Sequence, residues 1–144
     1  MEVLFNAVGS WQYPEALLLR GCLAALEAEG IRDAEISVTL LDDDRILELN
    51  KEYLGKDWPT DVVAFPLHSP GEPVLGDVYL GFEQARRQAE ALQIPLEEEL
   101  LRLVIHGTLH VLGYRHPDGD DRAESEMFRK QERLLTAVLE AEPG

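Results

Sequence analysis

The sequence predicts an α+β fold, a single domain over residues 1–144 with a small mixed sheet of about four strands packed with about five helices. Three observations carry this prediction. The chain has 144 residues, the size of one domain around one hydrophobic core. Four short apolar runs alternate or end at turn residues, as strands do, and longer segments carry apolar residues at helical spacing.

The first half of the chain predicts two strands and two helices. Residues 3–8 form a short strand, and a helix opens at Pro14-Glu15 and ends before Gly30. Residues 34–41 alternate as a half-buried strand. The three aspartates at 42–44 are interpreted as caps of the next helix rather than as a cation site. The segment 50–60 that follows is polar and turn-rich.

The second half predicts two strands and three helices. Residues 62–65 and 74–80 are strands that pair through the turn between them. One helix begins at Gly81-Phe82, and another runs from Pro95 to Gly113 with acidic residues in its first turn. A final amphipathic helix covers roughly residues 122–140.

Composition restricts the class of protein and its partners. Hydrophobic residues make up 45% and charged residues 28%, and the net charge is −15. This charge argues against broad non-specific binding to DNA or to an anionic membrane. Residues 1–5 lack the features of a signal peptide and no run is long enough to span a bilayer, so we expect a cytoplasmic protein. Cys22, the lone cysteine, is predicted to be a buried core thiol in a reducing compartment.

Three of the four histidines fall within eleven residues and predict a metal site at the end of a helix. His106 and His110 are four residues apart, so a helix places both on one face. Gly113 allows the chain to turn back and bring His116 to the same ion, which leaves one coordination position open. Zn²⁺ is the first candidate for three imidazoles, and Ni²⁺ or another divalent transition metal remains an alternative. His68, in a proline-rich turn, is interpreted as a surface histidine.

The spacing H-x-x-x-H-x-x-G-x-x-H is shared with zinc peptidases, so a metallopeptidase or other metallohydrolase is one hypothesis for the function. Those peptidases carry a glutamate directly after the first histidine as the base that activates water. This chain has Gly107 there, which cannot accept a proton. The sequence therefore disfavours proteolysis by that mechanism.

The block from His106 to His116 resembles the H-G-x-L-H-x-x-G-Y-x-H signature of the YbeY endoribonucleases, also called rRNA maturation factors. Residues 49–66 resemble the family's N-x-x-Y-R-G-K-D and P-T-D-V-L-S-F-P segments, and residues 75–78 resemble its L-G-D-I segment. The order and spacing agree over roughly residues 40–130.

The resemblance implies a zinc-dependent, single-strand-specific endoribonuclease that acts in 16S rRNA 3′-end maturation and ribosome assembly. It implies His106, His110 and His116 as metal ligands and a metal-activated water as the attacking group. The implied partners are single-stranded rRNA, the small ribosomal subunit and its proteins, and an assembly GTPase. The alternative is a non-catalytic ribosome-assembly factor whose metal is structural, although the lack of a nearby fourth Cys or His ligand favours an open site.

Two positions depart from the family pattern. Leu54 stands where the family usually has an arginine thought to contact phosphate, and Arg115 stands where it commonly has an aspartate. We hypothesise that Arg115 partly replaces the missing cation, with a solvated loop arginine as the alternative. Lys56 is a weaker candidate for a phosphate contact. Asp61 lies either near the metal or only in a hydrogen bond that shapes the turn before the strand.

The negative charge also predicts how the protein meets RNA. A local basic groove or partner proteins must hold it on ribosomal RNA, because its overall charge repels the phosphate backbone. We therefore expect weak, salt-sensitive cleavage of isolated RNA.

Overall fold

The computed structural model describes residues 1–114 and 121–141, without the side chains of residues 121–125. Within these residues the elements are β1 (Glu2–Ala7), α1 (Glu15–Ala28), β2 (Ala34–Leu41), α2 (Asp43–Leu54), β3 (Val62–Pro66), β4 (Val74–Gly81), α3 (Phe82–Leu92), α4 (Leu96–Val111) and α5 (Asp121–Glu140). The α+β fold predicted from the sequence is confirmed.

The described strands form one mixed sheet in the order β1-β2-β4-β3. Strands β1, β2 and β4 are parallel, and β3 pairs antiparallel with β4. The short turn between β3 and β4 permits the antiparallel pairing, whereas the parallel strands need longer crossovers that contain helices. The predicted pairing of the runs at 62–65 and 74–80 is confirmed, and β3 lies at one edge of the sheet.

Helix α4 is the central helix of the fold and carries two of the predicted site histidines. It contacts α1, α3 and α5 as well as β3 and β4, and most of its residues are buried. Gly107 lets it approach the sheet closely, because a Cβ built there would lie 2.5 Å from Cγ1 of Val78. The glycine that disfavours a peptidase mechanism is therefore also required by packing.

Helix α2 packs on the opposite face of the sheet, where Ile46 is buried with Leu41 and Val63. The side chain of Asp42 accepts a hydrogen bond from the backbone N–H of Arg45 at 2.9 Å, which confirms the capping interpretation for Asp42. Asp43 and Asp44 lie in the first turn of the helix.

The helix extends through residues 50–54, farther than the turn-rich composition of that segment indicates. Asn50 is only 1% exposed and finds a hydrogen-bond partner for its amide in the carbonyl of Trp58. A polar residue that composition alone assigns to a turn is thus accommodated inside a helix. Gly55 adopts the left-handed conformation (φ 69°) and ends α2.

Cys22 is fully buried on α1, as predicted. Burial raises the pKa of its thiol to about 11, and the hydrogen bond from Thr108 opposes this rise. The thiol is therefore protonated and shielded from solvent, which agrees with a core role. Among the described helices, none is both long and apolar enough to cross a bilayer.

Candidate functional site

Two histidines converge in the last two turns of α4. Nε2 of His106 lies 3.0 Å from Nε2 of His110, and the ring centroids are 4.5 Å apart at an interplanar angle of 74°. The i, i+4 spacing on a helix brings the rings together, as predicted. Both rings thus direct the same nitrogen toward one point in space.

Gln131 on α5 orients the first of these rings. Its Oε1 lies 2.6 Å from Nδ1 of His106, and the residue is only 5% exposed. An amide oxygen can only accept, so Nδ1 donates and the neutral ring carries its lone pair on Nε2. Sequence reasoning missed Gln131, and its position on the buried stripe of α5, four residues after the buried Met127, is the one signal that could have indicated it.

Two charged side chains, Glu132 and Arg102, set the orientation of the Gln131 amide. Its Nε2 donates to Oε2 of Glu132 at 3.1 Å, and Nε of Arg102 donates to the same oxygen at 2.9 Å. Because a carboxylate only accepts, this contact requires the amide nitrogen on that side and the oxygen toward His106. Burial opposes ionisation of Glu132, but the hydrogen bonds from Arg102 and Gln131 prevail and hold its pKa below the ordinary value.

Arg102 also binds a buried carboxylate on its own helix. Its Nη1 donates to Oε1 of Glu99 at 2.7 Å, and Glu99 is only 4% exposed. Burial raises the pKa of Glu99, and the hydrogen bond from Arg102 opposes the rise. The network from Glu99 to His106 therefore connects α4 with α5 through side chains alone.

The two histidines form one wall of a cleft of about 270 Å³ at the edge of the sheet. The other described residues that line it come from the end of α2, the loop after it and strand β3: Leu54, Lys56, Val62, Val63 and Ala64. The fold thereby brings the histidine block and the segment 49–66, which are separate in the sequence, to one cleft. Leu54 is 49% exposed, so an apolar side chain does occupy the rim where the family resemblance leads one to expect arginine.

The structure describes some of the other residues that the sequence singled out, and others lie outside the described residues. Asp61 is absent from the described lining of the cleft; its Oδ1 accepts from Thr60 at 3.3 Å and its Oδ2 accepts from Gln88 at 3.2 Å. His116 and Arg115 lie outside the described residues. Nδ1 of His68 accepts a hydrogen bond from the backbone of Leu75, which gives that histidine a structural role in the β3–β4 connection.

The donor set fits a transition metal as far as the structure describes it. Within residues 1–114 and 126–141, no three Asp, Glu, His or Cys side chains are grouped to hold an ion, since the third predicted ligand lies outside them. The chemistry of the two described histidines nevertheless fits a transition metal, because their Nε2 atoms face each other and the Nδ1 of His106 is engaged by an acceptor.

Comparison with known proteins finds similarity to one protein family over most of the chain. Residues 14–139 match the family described as Endoribonuclease YbeY. The protein named Endoribonuclease YbeY from Bacillus subtilis is 45% identical, with 78% of each chain covered. The one from Thermus thermophilus is also 45% identical and covers 81% of this chain and 86% of its own. The solution structure of TM1509 from Thermotoga maritima matches with a TM-score of 0.66 at 33% identity, over 94% of this chain and 88% of that one.

Proposed function

Because the chain belongs to the Endoribonuclease YbeY family, we propose that it is a metal-dependent endoribonuclease that cleaves single-stranded RNA in the maturation of the 16S rRNA 3′ end. The observation that carries the proposal is the pair of Nε2 atoms 3.0 Å apart at the wall of a cleft of about 270 Å³. The rim of the cleft includes Leu54 and Lys56, two lining residues that are exposed to solvent.

We propose that His106, His110 and His116 hold one Zn²⁺, with Ni²⁺ or another divalent transition metal as alternatives. An ion bound there would supply Lewis acidity to an attacking water and to a phosphoryl oxygen. Gln131 keeps the Nδ1 of His106 protonated, so that the Nε2 lone pair is available to a ligand. Strand β3 adds apolar side chains to the lining of the cleft.

The RNA backbone needs a cation in this cleft, and Lys56 supplies one at the rim. Arg115 adjoins the third predicted ligand in the sequence and serves as a second phosphate contact in this proposal. With a net charge of −15, the chain relies on such local cations and on partner proteins to approach RNA. We propose the small ribosomal subunit, one of its proteins and an assembly GTPase as those partners.

A second candidate function is a ribosome-assembly factor without catalysis, whose metal is structural. The apolar Leu54 at the cleft rim favours this alternative, because it removes a phosphate contact that the family pattern provides. A peptidase is disfavoured, because Gly107 offers no proton acceptor next to His106 and packs directly on Val78.

The test begins with metal analysis of the purified chain, followed by cleavage of a single-stranded 16S rRNA 3′ fragment. Native protein, protein with chelator, and the variants His110→Ala and His68→Ala are compared. We expect cleavage by the native protein and by His68→Ala, the matched control, and loss of cleavage with chelator and with His110→Ala. If the metal-loaded protein leaves both the free fragment and assembled subunits uncut, the assembly-factor alternative replaces the proposal.

A further inference from the structure

The loop after α2 exposes a tryptophan beside the cleft. Trp58 is 55% exposed, whereas Trp11, the other tryptophan of the chain, is stacked on Phe82 with ring centroids 4.7 Å apart. Burial of an aromatic ring is strongly favourable, so a ring this exposed is available to a partner that covers it.

A buried asparagine of α2 contacts the loop that carries Trp58 at two points. The carbonyl of Asn50 accepts from the backbone N–H of Lys56 at 3.3 Å, and the side-chain amide of Asn50 donates to the carbonyl of Trp58 at 2.9 Å. Asn50 is 1% exposed and belongs to α2. Lys56 and Trp58 are therefore tied to the same rigid point, and ordering them on a ligand costs less entropy than ordering a free loop.

Lys56 connects this ring to the cleft. Its Nζ lies 5.9 Å from the ring centroid of Trp58, within the range of a cation–π contact. The same lysine lines the cleft with His106 and His110. An aromatic face and a cation thus lie next to each other at the rim of the cleft.

We propose that Trp58 is a stacking platform for one nucleobase of the single-stranded RNA, with Lys56 binding the adjoining phosphate. The inference rests on the proposed function and names how the same site grips its substrate. A single strand presents unpaired base faces and negative phosphates, which match an aromatic ring beside an ammonium group. The exposed Leu54 on the same rim adds apolar surface but no charge.

The negative net charge of the chain favours a stacking contact with RNA. A chain with a net charge of −15 gains no long-range attraction to RNA, so short-range contacts must supply the affinity. Stacking of a base on an aromatic ring is such a contact, and it tolerates any base sequence because every base has a π face.

The first experiment uses the fluorescence of Trp58 as a direct probe. In a Trp11→Phe background Trp58 is the single tryptophan, and a chelator prevents cleavage. A single-stranded RNA oligonucleotide is titrated against this protein, alongside a ribose-phosphate oligomer of equal length without bases. We expect the RNA to quench the emission and to bind about tenfold more tightly than the abasic oligomer. Equal binding of both oligomers with unchanged emission would overturn the proposal.

The second experiment measures RNA affinity of chelated variants. We expect Trp58→Ala to weaken binding about tenfold and Trp58→Phe to restore most of the loss, because a phenyl ring still stacks. Leu92→Ala, which truncates another exposed apolar side chain at the end of α3, should bind as the native protein does. Native affinity of Trp58→Ala would refute the platform. Since binding is measured without metal, an absence of cleavage would contradict the proposed function and leave this result intact.

Discussion

Oε1 of Gln131 and Nδ1 of His106 lie 2.6 Å apart, and this contact joins α5 to the candidate metal ligands on α4. Its effect is chemical as well as structural, because it selects the tautomer whose lone pair is on Nε2. The carboxylate of Glu132 and the guanidinium of Arg102 fix the amide that makes it. Helix α5 therefore contributes to the site through a residue that would not itself touch an ion.

Replacing Gln131 should weaken metal binding without abolishing it. Gln131→Ala removes the acceptor for Nδ1 of His106, and we expect metal affinity to fall roughly 10- to 100-fold, as for other residues that hold a ligand from behind. The measurement is a metal titration against a competing chelator, with the exposed Gln12→Ala as control. Unchanged affinity in Gln131→Ala would show that the contact does not orient the ligand.

Restoring a cation at position 54 should strengthen RNA binding. Leu54 lines the cleft and is half exposed at the C-terminus of α2, where a positive charge also suits the helix dipole. We expect Leu54→Arg to bind single-stranded RNA more tightly, and the slope of log affinity against log salt to steepen by about 0.7 for one added phosphate contact. Leu92→Arg adds the same charge away from the cleft. An equal gain in both variants would mean that net charge, rather than the cleft, controls binding.

A methyl group at position 107 should destabilise the fold. Alanine usually favours a helix over glycine by about 1 kcal/mol, but here its Cβ would lie 2.5 Å from Cγ1 of the buried Val78. We expect the clash to prevail and Gly107→Ala to lower the free energy of unfolding by roughly 1–3 kcal/mol in urea denaturation.

The double variant Gly107→Ala/Val78→Ala removes the atom that the new methyl group meets. Its loss of stability should be smaller than the sum of the two single losses, because the two positions are in contact. If the two losses of stability were additive, the cost of Gly107→Ala would not come from its contact with Val78.

The stability effect of Glu99 should depend on pH. Burial raises its pKa above the ordinary 4.5, so the folded protein holds this proton more strongly than the unfolded chain does. Ionisation of Glu99 therefore lowers stability as the pH rises through the folded-state pKa, and the cost is absent below about pH 4.5. We expect Glu99→Gln to gain stability relative to the native protein as the pH rises above about 4.5 in urea unfolding.

The exposed Glu90→Gln on α3 is the matched control for this comparison. If Glu99→Gln instead lost stability relative to the native protein as the pH rises, the ion pair with Arg102 would outweigh the cost of burial.

The local sequence pattern was sufficient to predict most helices and strands and part of the candidate site. The spacing of His106 and His110 placed both on one helix face, because the helix repeat depends on neighbouring residues alone. The same locality explains the Asp42 cap and the burial of Cys22 on the apolar stripe of α1. The extension of α2 was missed, because Asn50 is stabilised in a helix by a carbonyl eight residues away.

By itself, the sequence determined the α+β class, the two described histidines and the glycine that follows the first of them. Only the tertiary structure decided that Gln131 contacts Nδ1 of His106 and that Leu54 and Lys56 line the same cleft as the histidines. The physical reason is that periodicity records which face of an element is buried, whereas the partner that covers that face is selected by packing between segments far apart in the chain.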